Sequence, residues 1–269
     1  MRSIKTYLVV AMITITILSA DAQAPGYLGK RFMVNYDLYT FPAISNPNVN
    51  GEKGISSFNI RHVFSVDYVT GLNHSVGLSF HLTKTQFEFK REFNFTYQYM
   101  DGYGEKETTT ELIYFGDLKG ELSAYAIGLH TNLYFNQFLA PLGTYFKPEI
   151  LLVNFRATFD SDLANKYLRD NINHAMLTFP VLANKKAYTT VAIGATLGTH
   201  YIFYDRLIVN IGFQVGWVVG GKKMSEWMEN DGLVSDKINE DNFIPISAKS
   251  RLMSQYFINI DAGIWLLIF

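Results

Sequence analysis

The chain has 269 residues with 23 Lys and Arg against 24 Asp and Glu, a formal net charge of −1, which argues against a nucleic-acid partner because such a partner favours a basic surface. Aromatic residues are 15% of the chain and charged residues only 17%, below the roughly 25% of soluble domains, a balance that favours partial solvation by lipid. The absence of cysteine excludes disulfides, thiolate metal sites and thiol nucleophiles.

The first residues have the pattern of an export signal. Arg2 and Lys5 precede an apolar stretch from Tyr7 to Leu18, and Ala20 and Ala22 supply the small residues of a cleavage site. The apolar stretch is shorter than the roughly 20 residues that a membrane-spanning helix needs. We therefore predict a signal peptide over residues 1–22 and one mature domain over residues 23–269.

The mature region contains stretches in which apolar residues alternate with small or polar ones. Alternation with a period of two is expected when one strand face meets lipid and the other meets a barrel interior. Eight stretches show it, at about residues 32–38, 60–68, 76–83, 125–133, 146–152, 191–201, 207–220 and 256–269. The predicted fold is all-β: a closed antiparallel transmembrane β-barrel of about eight strands.

The connections alternate between short and long, as expected for tight periplasmic turns and longer extracellular loops. The short connections are 70–74, 136–143 and 204–206, and the long ones are about 43–57, 84–120, 156–186 and 221–255. The alternative is a soluble secreted β-sandwich, which also has short alternating strands. Its connections are not expected to be so asymmetric.

Two positions fit the pattern less well. Pro148 lies inside the fifth strand, where it cannot donate a ladder hydrogen bond, so we predict a bulge there. The last strand is apolar on both faces, with Ile260, Ile264 and Leu266 on one and Trp265 and Leu267 on the other. Either a bulge or an apolar layer inside the barrel would account for this.

The terminal segment from Ile258 to Phe269, with the export signal and the eight stretches, resembles the small outer-membrane barrels of the OmpA, OmpX and OmpW type. In that family the aromatic C-terminal residue, here Phe269, is part of the signal read by the barrel-assembly machinery. The segment from Leu139 to Tyr145, with Gln23 after the cleavage site, resembles barrels of Bacteroidota-type bacteria. The resemblance implies insertion in the cell outer membrane, among its lipids and lipopolysaccharide, and does not assign an activity.

Five charged residues from different strands are predicted to face inward and to meet as an interior polar network. They are Arg61, Asp67, Lys147, Glu149 and Asp261. An eight-stranded barrel has an interior just wide enough for side chains to fill, which favours a polar plug over a narrow polar conduit. His81 and His130, near Ser79 in the pattern, suggest a hydrolase of the kind that modifies lipid A, but no spacing secures a nucleophile next to a base.

Seven aromatic residues are predicted to anchor the barrel at the membrane interfaces: Tyr36, Tyr68, Tyr125, Tyr145, Tyr201, Trp217 and Trp265. The aromatic loop 93–114, with a turn at 101–104, is predicted to extend as a protruding hairpin. Asp160 or Ser161 would cap one loop helix and Ser225 another. Asp236, Glu240 and Asp241 lack EF-hand spacing and are expected to be a solvated loop.

The sequence contains no Walker motif, dinucleotide fingerprint or zinc signature, so no cofactor is predicted. We predict a non-enzymatic outer-membrane barrel with a structural or interaction role, accessory to a larger envelope assembly and contacting envelope proteins. The alternatives are a small porin-like channel or hydrophobic-compound transporter, and a lipid A-modifying barrel enzyme. Sequence alone does not separate these three classes.

Overall fold

The computed structural model describes residues 26–44, 54–88, 92–100, 103–114, 118–135, 139–171, 187–219 and 251–268. The predicted signal segment 1–22, Gln23 and Phe269 lie outside these ranges. So do the predicted Ser225 helix and the acidic loop residues Asp236, Glu240 and Asp241.

The described residues are mostly antiparallel strands. The strands are β1 (Phe32–Ala43), β2 (Gly54–Val69), β3 (His74–Glu88), β4 (Glu92–Met100), β5 (Lys106–Tyr114), β6 (Lys119–Tyr134), β7 (Gly143–Phe159), β8 (Ala187–Tyr204), β9 (Leu207–Val219) and β10 (Ile258–Leu267). Helix α1 spans Ser161–Asn171, a 3₁₀ turn spans Tyr27–Gly29, and residues 251–257 are helical.

Eight of these strands form one closed barrel in the order β1-β10-β9-β8-β7-β6-β3-β2, and β1 pairs with both β2 and β10. The predicted eight-stranded closed barrel is therefore confirmed, and a β-sandwich, which needs two packed sheets, is excluded. The remaining two strands, β4 and β5, form a separate hairpin between β3 and β6, in the region predicted to protrude.

The alternation of faces is confirmed along the barrel strands. In β9, Ile211, Phe213 and Val215 are exposed on the outside, while Asn210 and Gln214 are buried inside. The strand ends joined by the short connections β2–β3, β6–β7 and β8–β9 lie at one end, which we call the short-turn end, and the strand ends joined by the long connections lie at the other, the long-loop end.

The outer wall of the barrel is a belt of exposed apolar side chains. Neighbouring strands contribute Leu78, Leu129, Ile150 and Ile193, each between 43% and 62% exposed. A soluble surface does not expose so wide an apolar area, and a closed barrel leaves no strand edge unpaired in lipid. The chain is therefore a membrane-spanning β-barrel, the architecture of outer-membrane proteins.

No helix among the described residues is long and apolar enough to cross a membrane.

The bulge predicted at Pro148 is wrong. The pairing of β7 with β8 continues unbroken through Pro148 and Ala195. On the other side the register of β6 and β7 is the same before and after the proline, from His130 opposite Glu149 to Leu133 opposite Phe146. The ladder to β6 is interrupted only at positions 147 and 148, so the missing N–H is accommodated locally without shifting the strand.

The last strand runs without a bulge, and its second apolar face is the interior layer that was one of the two possibilities open from the sequence. Trp265 and Leu267 are fully buried inside the barrel, whereas Ile260, Ile264 and Leu266 are about half exposed outside. Trp265 and Tyr145 are therefore not interface anchors, and this part of the prediction is wrong. The other five predicted anchors, Tyr36, Tyr68, Tyr125, Tyr201 and Trp217, are exposed on the outer wall.

Helix α1 follows β7 at the long-loop end. The Asp160 carboxylate accepts hydrogen bonds from the backbone N–H groups of Asp162 (3.1 Å) and Leu163 (3.0 Å), so Asp160 is the N-cap. The buried residue Ala164 faces the barrel mouth, with Leu163 and Tyr167 packed beside it. The predicted helix start is confirmed.

Candidate functional site in the barrel interior

The barrel interior has three layers along its axis. An apolar, aromatic layer lies at the short-turn end, a polar network lies in the middle, and a second apolar layer with the residue 251–257 helix lies at the long-loop end. The inward faces of β1, β2, β3, β6, β7, β9 and β10 supply the polar network. We take this network as the candidate site because buried polar groups cost free energy unless they are partnered.

Asp67 on β2 is the centre of one part of the network. Its carboxylate accepts hydrogen bonds from Asn35 (2.5 Å), Asn132 (2.7 Å) and the Nε2 of His130 (2.9 Å). Asp67 is fully buried. The donors come from β1 and β6, so this carboxylate ties three strands together.

Glu149 on β7 is the centre of the second part. It accepts a hydrogen bond from the Ser79 hydroxyl (2.5 Å) and lies 3.2 Å from the Nε2 of His81. The Nδ1 of His130 lies 3.9 Å from the same carboxylate, so His130 stands between Asp67 and Glu149. Two histidines and two carboxylates from four strands thus form one continuous cluster.

This cluster does not have the geometry of a Ser-His-acid triad. In a triad the serine and the carboxylate contact opposite ring nitrogens, so that the base can take up the serine proton. Here the Ser79 hydroxyl and Glu149 both lie at the Nε2 of His81, and Ser79 donates directly to Glu149. All three side chains are buried. These three residues therefore form a buried hydrogen-bonded group and not a catalytic triad.

Arg61 on β2 is fully buried between two aromatic rings. Its guanidinium lies 4.6 Å from the Tyr39 ring centroid and 4.5 Å from that of Tyr256. It donates to the Gln214 side chain (2.5 Å) and to the backbone carbonyl of Gln255 (2.9 Å). This one side chain therefore joins the barrel wall to the helix in the mouth.

Lys147 on β7 donates to the Tyr39 hydroxyl at 2.8 Å. Asp37 on β1 and Asp261 on β10 lie across the interior from Lys147. The Asn210 side-chain amide donates to both carboxylates, at 3.1 Å and 2.6 Å. Asp37 also accepts from the indole N–H of Trp265 at 2.9 Å. The aromatic layer below is thus connected to the polar network through the polar edge of Trp265.

The five residues predicted as an interior network are all buried inside the barrel, at 0% to 2% exposed. Their close partners are mainly histidine, tyrosine and amide side chains rather than one another. Sequence reasoning missed Tyr39, Asp37 and Gln214 as network members. Their inward position in the alternation was the available signal, because Asp37 and Gln214 fall on the polar face of their strands.

At the short-turn end the interior is closed by Met33, Tyr145, Trp265 and Leu267, with Ala140 from the 135–142 turn packed among them. The Ala140 N–H donates to the carbonyl of Leu72 at 2.7 Å, which holds this turn against the neighbouring one. We call this apolar layer, which includes Ala140, the floor of the barrel.

At the long-loop end the helical residues 251–257, which we call the plug helix, fill the mouth. Leu252 and Tyr256 pack into an apolar layer with Leu122, Leu151 and Val153. Arg251 donates to the Thr85 hydroxyl (2.8 Å), and Gln255 donates to that of Thr83 (2.6 Å). The helix is thus held to β3 by polar contacts and to the neighbouring strands β6 and β7 by apolar ones. From sequence, residues 251–255 belong to a long connection and the last strand begins at Tyr256; no helix is predicted, and the start of that strand is corrected to Ile258.

Among the described residues, no group of three or more His, Asp or Glu side chains is arranged to hold a metal ion.

No family model matches the chain, and no curated protein matches it. Among solved structures, the chain is similar to Neisserial surface protein A, with 10% identity, coverage of 88% of this chain and 97% of that one, and a TM-score of 0.39. It is also similar to the attachment invasion locus protein Ail of Yersinia pestis, with 8% identity, 88% and 95% coverage and a TM-score of 0.35. For the outer membrane protein OprG of Pseudomonas aeruginosa the identity is 8%, the coverage 88% and 93%, and the TM-score 0.37.

Proposed function

We propose that this protein is an outer-membrane barrel with a structural or interaction role in the cell envelope, acting through its long-loop end as an accessory to a larger assembly. The observation that carries the proposal is the filled interior. Two apolar layers and the plug helix enclose the polar network, so side chains of the described residues occupy the barrel axis. A barrel of this size is a rigid support for what it displays.

The long-loop end supplies the surface for such a role. Strands β3, β6 and β7 continue well past the apolar belt, the β4–β5 hairpin extends from them, and α1 lies against β5. Tyr103, in the turn of the hairpin, is 95% exposed. Large exposed aromatic side chains are favoured at protein interfaces.

A photo-crosslinking experiment in intact cells tests this role. A photoreactive amino acid at Tyr103 is expected to give discrete protein adducts, because the hairpin turn would lie at the interface. The control is the same amino acid at Tyr204, a residue that is 68% exposed at the short-turn end. Adducts equal to the control, or none at either site, would contradict the proposal.

A second candidate function is a narrow conduit, and one observation favours it. The Nδ1 atoms of His81 and His130 and the Oδ1 of Asn259 are buried without a hydrogen-bond partner among the described residues. Buried polar atoms are ordinarily satisfied by protein or water, so interior water would suit this layer. Planar-bilayer recording separates the two functions: we expect no stepwise conductance, and steady ohmic steps would favour the conduit.

A further inference from the structure

The outer wall changes character toward the long-loop end across the strands β2, β3, β6, β7 and β8. A row of cross-strand neighbours near mid-barrel is wholly apolar: Phe64, Phe80, Ile127, Leu152 and Val191. Four of these five side chains are at least 40% exposed. This row faces hydrocarbon.

The next outward row, two residues or about 6.7 Å further along each strand, is mixed. It contains His62, Leu82, Tyr125, Asn154 and Thr189. The His62 ring lies 2.8 Å from the Tyr36 hydroxyl, and the Asn154 amide donates to the Thr189 hydroxyl at 3.1 Å. Such amphipathic and aromatic residues mark the level of the membrane interface.

The third outward row is cationic. Lys84 pairs with Ser123, and Ser123 pairs with Arg156, so two cations flank one small polar residue on adjacent strands. Strands lie about 4.8 Å apart, which puts the two backbones about 10 Å from each other. Two long side chains across that distance can close on a single anion.

The second and third rows border an open cleft on the outer wall of about 720 Å³, and the apolar row lies next to it on the membrane side. Phe58 and Ile60 of β2 add an apolar side to it, and they are 54% and 49% exposed. The cleft therefore combines two cations with apolar surface: Leu82 and Tyr125 lie on the membrane side of the cations, and Ile60 and Phe58 lie level with them or further out. An amphiphile with an anionic head matches both parts, whereas a small soluble anion would leave the apolar part exposed.

We propose that this cleft binds a phosphorylated glycolipid of the outer leaflet, of the lipid A class, with its phosphate between Lys84 and Arg156 and an acyl chain along Leu82 and Tyr125. This site goes beyond the interaction role of the long loops and does not depend on it. Lys84 also lies 3.2 Å from Glu121. Both groups are partly exposed, at 72% and 32%, and such surface pairs are weak, so the ammonium can turn to a phosphate.

The test is equilibrium binding of bisphosphorylated lipid A to the folded full chain in nanodiscs of zwitterionic lipid. The Lys84→Gln, Arg156→Gln double variant is expected to lose roughly thirtyfold in affinity, from two interfacial cations. Lipid A without phosphates is expected to bind the unchanged protein about as weakly as bisphosphorylated lipid A binds the double variant. Glu121→Gln is expected to strengthen binding, since it frees Lys84.

The matched control is Lys166→Gln, which removes an exposed cation of α1 at the same end of the barrel and is expected to leave the affinity unchanged. Unaltered binding by a double variant whose gel mobility still shifts on boiling would overturn the proposal. If that variant does not fold, the test is the comparison of the two lipids on the unchanged protein. Equal affinity for phosphorylated and phosphate-free lipid A would overturn the proposal. Full competition by inorganic phosphate would assign the site to a free anion instead of a lipid.

Discussion

Trp265 and Trp217 lie on the adjacent strands β10 and β9, near opposite ends of the barrel, and have opposite surroundings. Trp265 is fully buried and donates its indole N–H to Asp37 at 2.9 Å, whereas Trp217 is 52% exposed on the lipid side. The Trp265→Phe variant removes one of the hydrogen-bond donors to the buried Asp37 carboxylate. We expect the free energy of unfolding to fall by about 1–3 kcal/mol, measured by urea denaturation in lipid vesicles with circular dichroism.

Trp217→Phe is the matched control, since it removes the same N–H from the outer wall. Its effect is expected to stay within about 0.5 kcal/mol. Equal losses for the two variants would mean that the hydrogen bond to Asp37 contributes little and that ring size alone sets the cost.

At the level of single elements, the seam between β1 and β10 closes the barrel and depends on Gly263, which pairs with Asp37. A methyl group at position 263 would overlap the Asp37 carboxylate and lie 2.7 Å from the Tyr36 carbonyl oxygen. Because the barrel is closed and each of these strands is paired on both sides, the two backbones cannot move apart to make room for the methyl group. We expect Gly263→Ala to reduce the heat-modifiable folded fraction after refolding by at least half, measured as band shift on a gel.

Gly194→Ala is a suitable comparison on another strand. Its methyl group would meet only the terminal amide of the Gln214 side chain, at 3.0 Å, so a shift of a few tenths of an ångström in that side chain is enough and the backbone need not move. Refolding of this variant is expected to match the unchanged protein. A normal folded fraction for Gly263→Ala would show that the seam tolerates a wider spacing than the structure has.

The stability of helix α1, which lies outside the barrel wall, can be tested separately through its N-cap. Asp160→Ala removes the cap that accepts two backbone N–H groups, and loss of such a cap costs about 1 kcal/mol of helix stability. Faster amide exchange over residues 161–171 is expected, with the barrel strands unchanged. Asp160→Asn should retain protection, and Asp170→Ala, at the other end of the helix, should not lower it. Unchanged exchange in Asp160→Ala would indicate that tertiary contacts alone hold α1.

For the whole molecule, the decisive property is its position in the bilayer. Ile150 lies near the middle of β7 and is 62% exposed in the apolar belt, whereas Tyr201 is 61% exposed close to the short-turn end. Arginine at the bilayer midplane costs about 2–4 kcal/mol, and near an interface about 0–1 kcal/mol. Urea unfolding in phospholipid vesicles is therefore expected to show a large loss for Ile150→Arg and a small one for Tyr201→Arg; equal losses would mean that the membrane spans a different zone.

Much of this architecture is determined by sequence alone, because a strand has a side-chain period of two and every barrel strand must present one face to lipid. The faces of β9, with Ile211 outside and Asn210 inside, follow directly, as do the eight strands and the alternation of connection lengths. The start of α1 follows from Asp160. The signal segment, the Bacteroidota-type likeness and the role of Phe269 stay predictions.

The tertiary structure alone decided the rest. Trp265 lies between apolar residues and Tyr145 precedes Phe146, so alternation does not place either ring, and only the packing of the floor puts them inside, where their polar atoms reach Asp37 and Asn210. The plug helix lacks a periodic signal because it is only seven residues long and is buried on nearly all sides, and its partners Thr83 and Thr85 are known only from the fold. Alternation tells which side chains enter the interior, but which of them meet depends on the register and shear of the closed barrel.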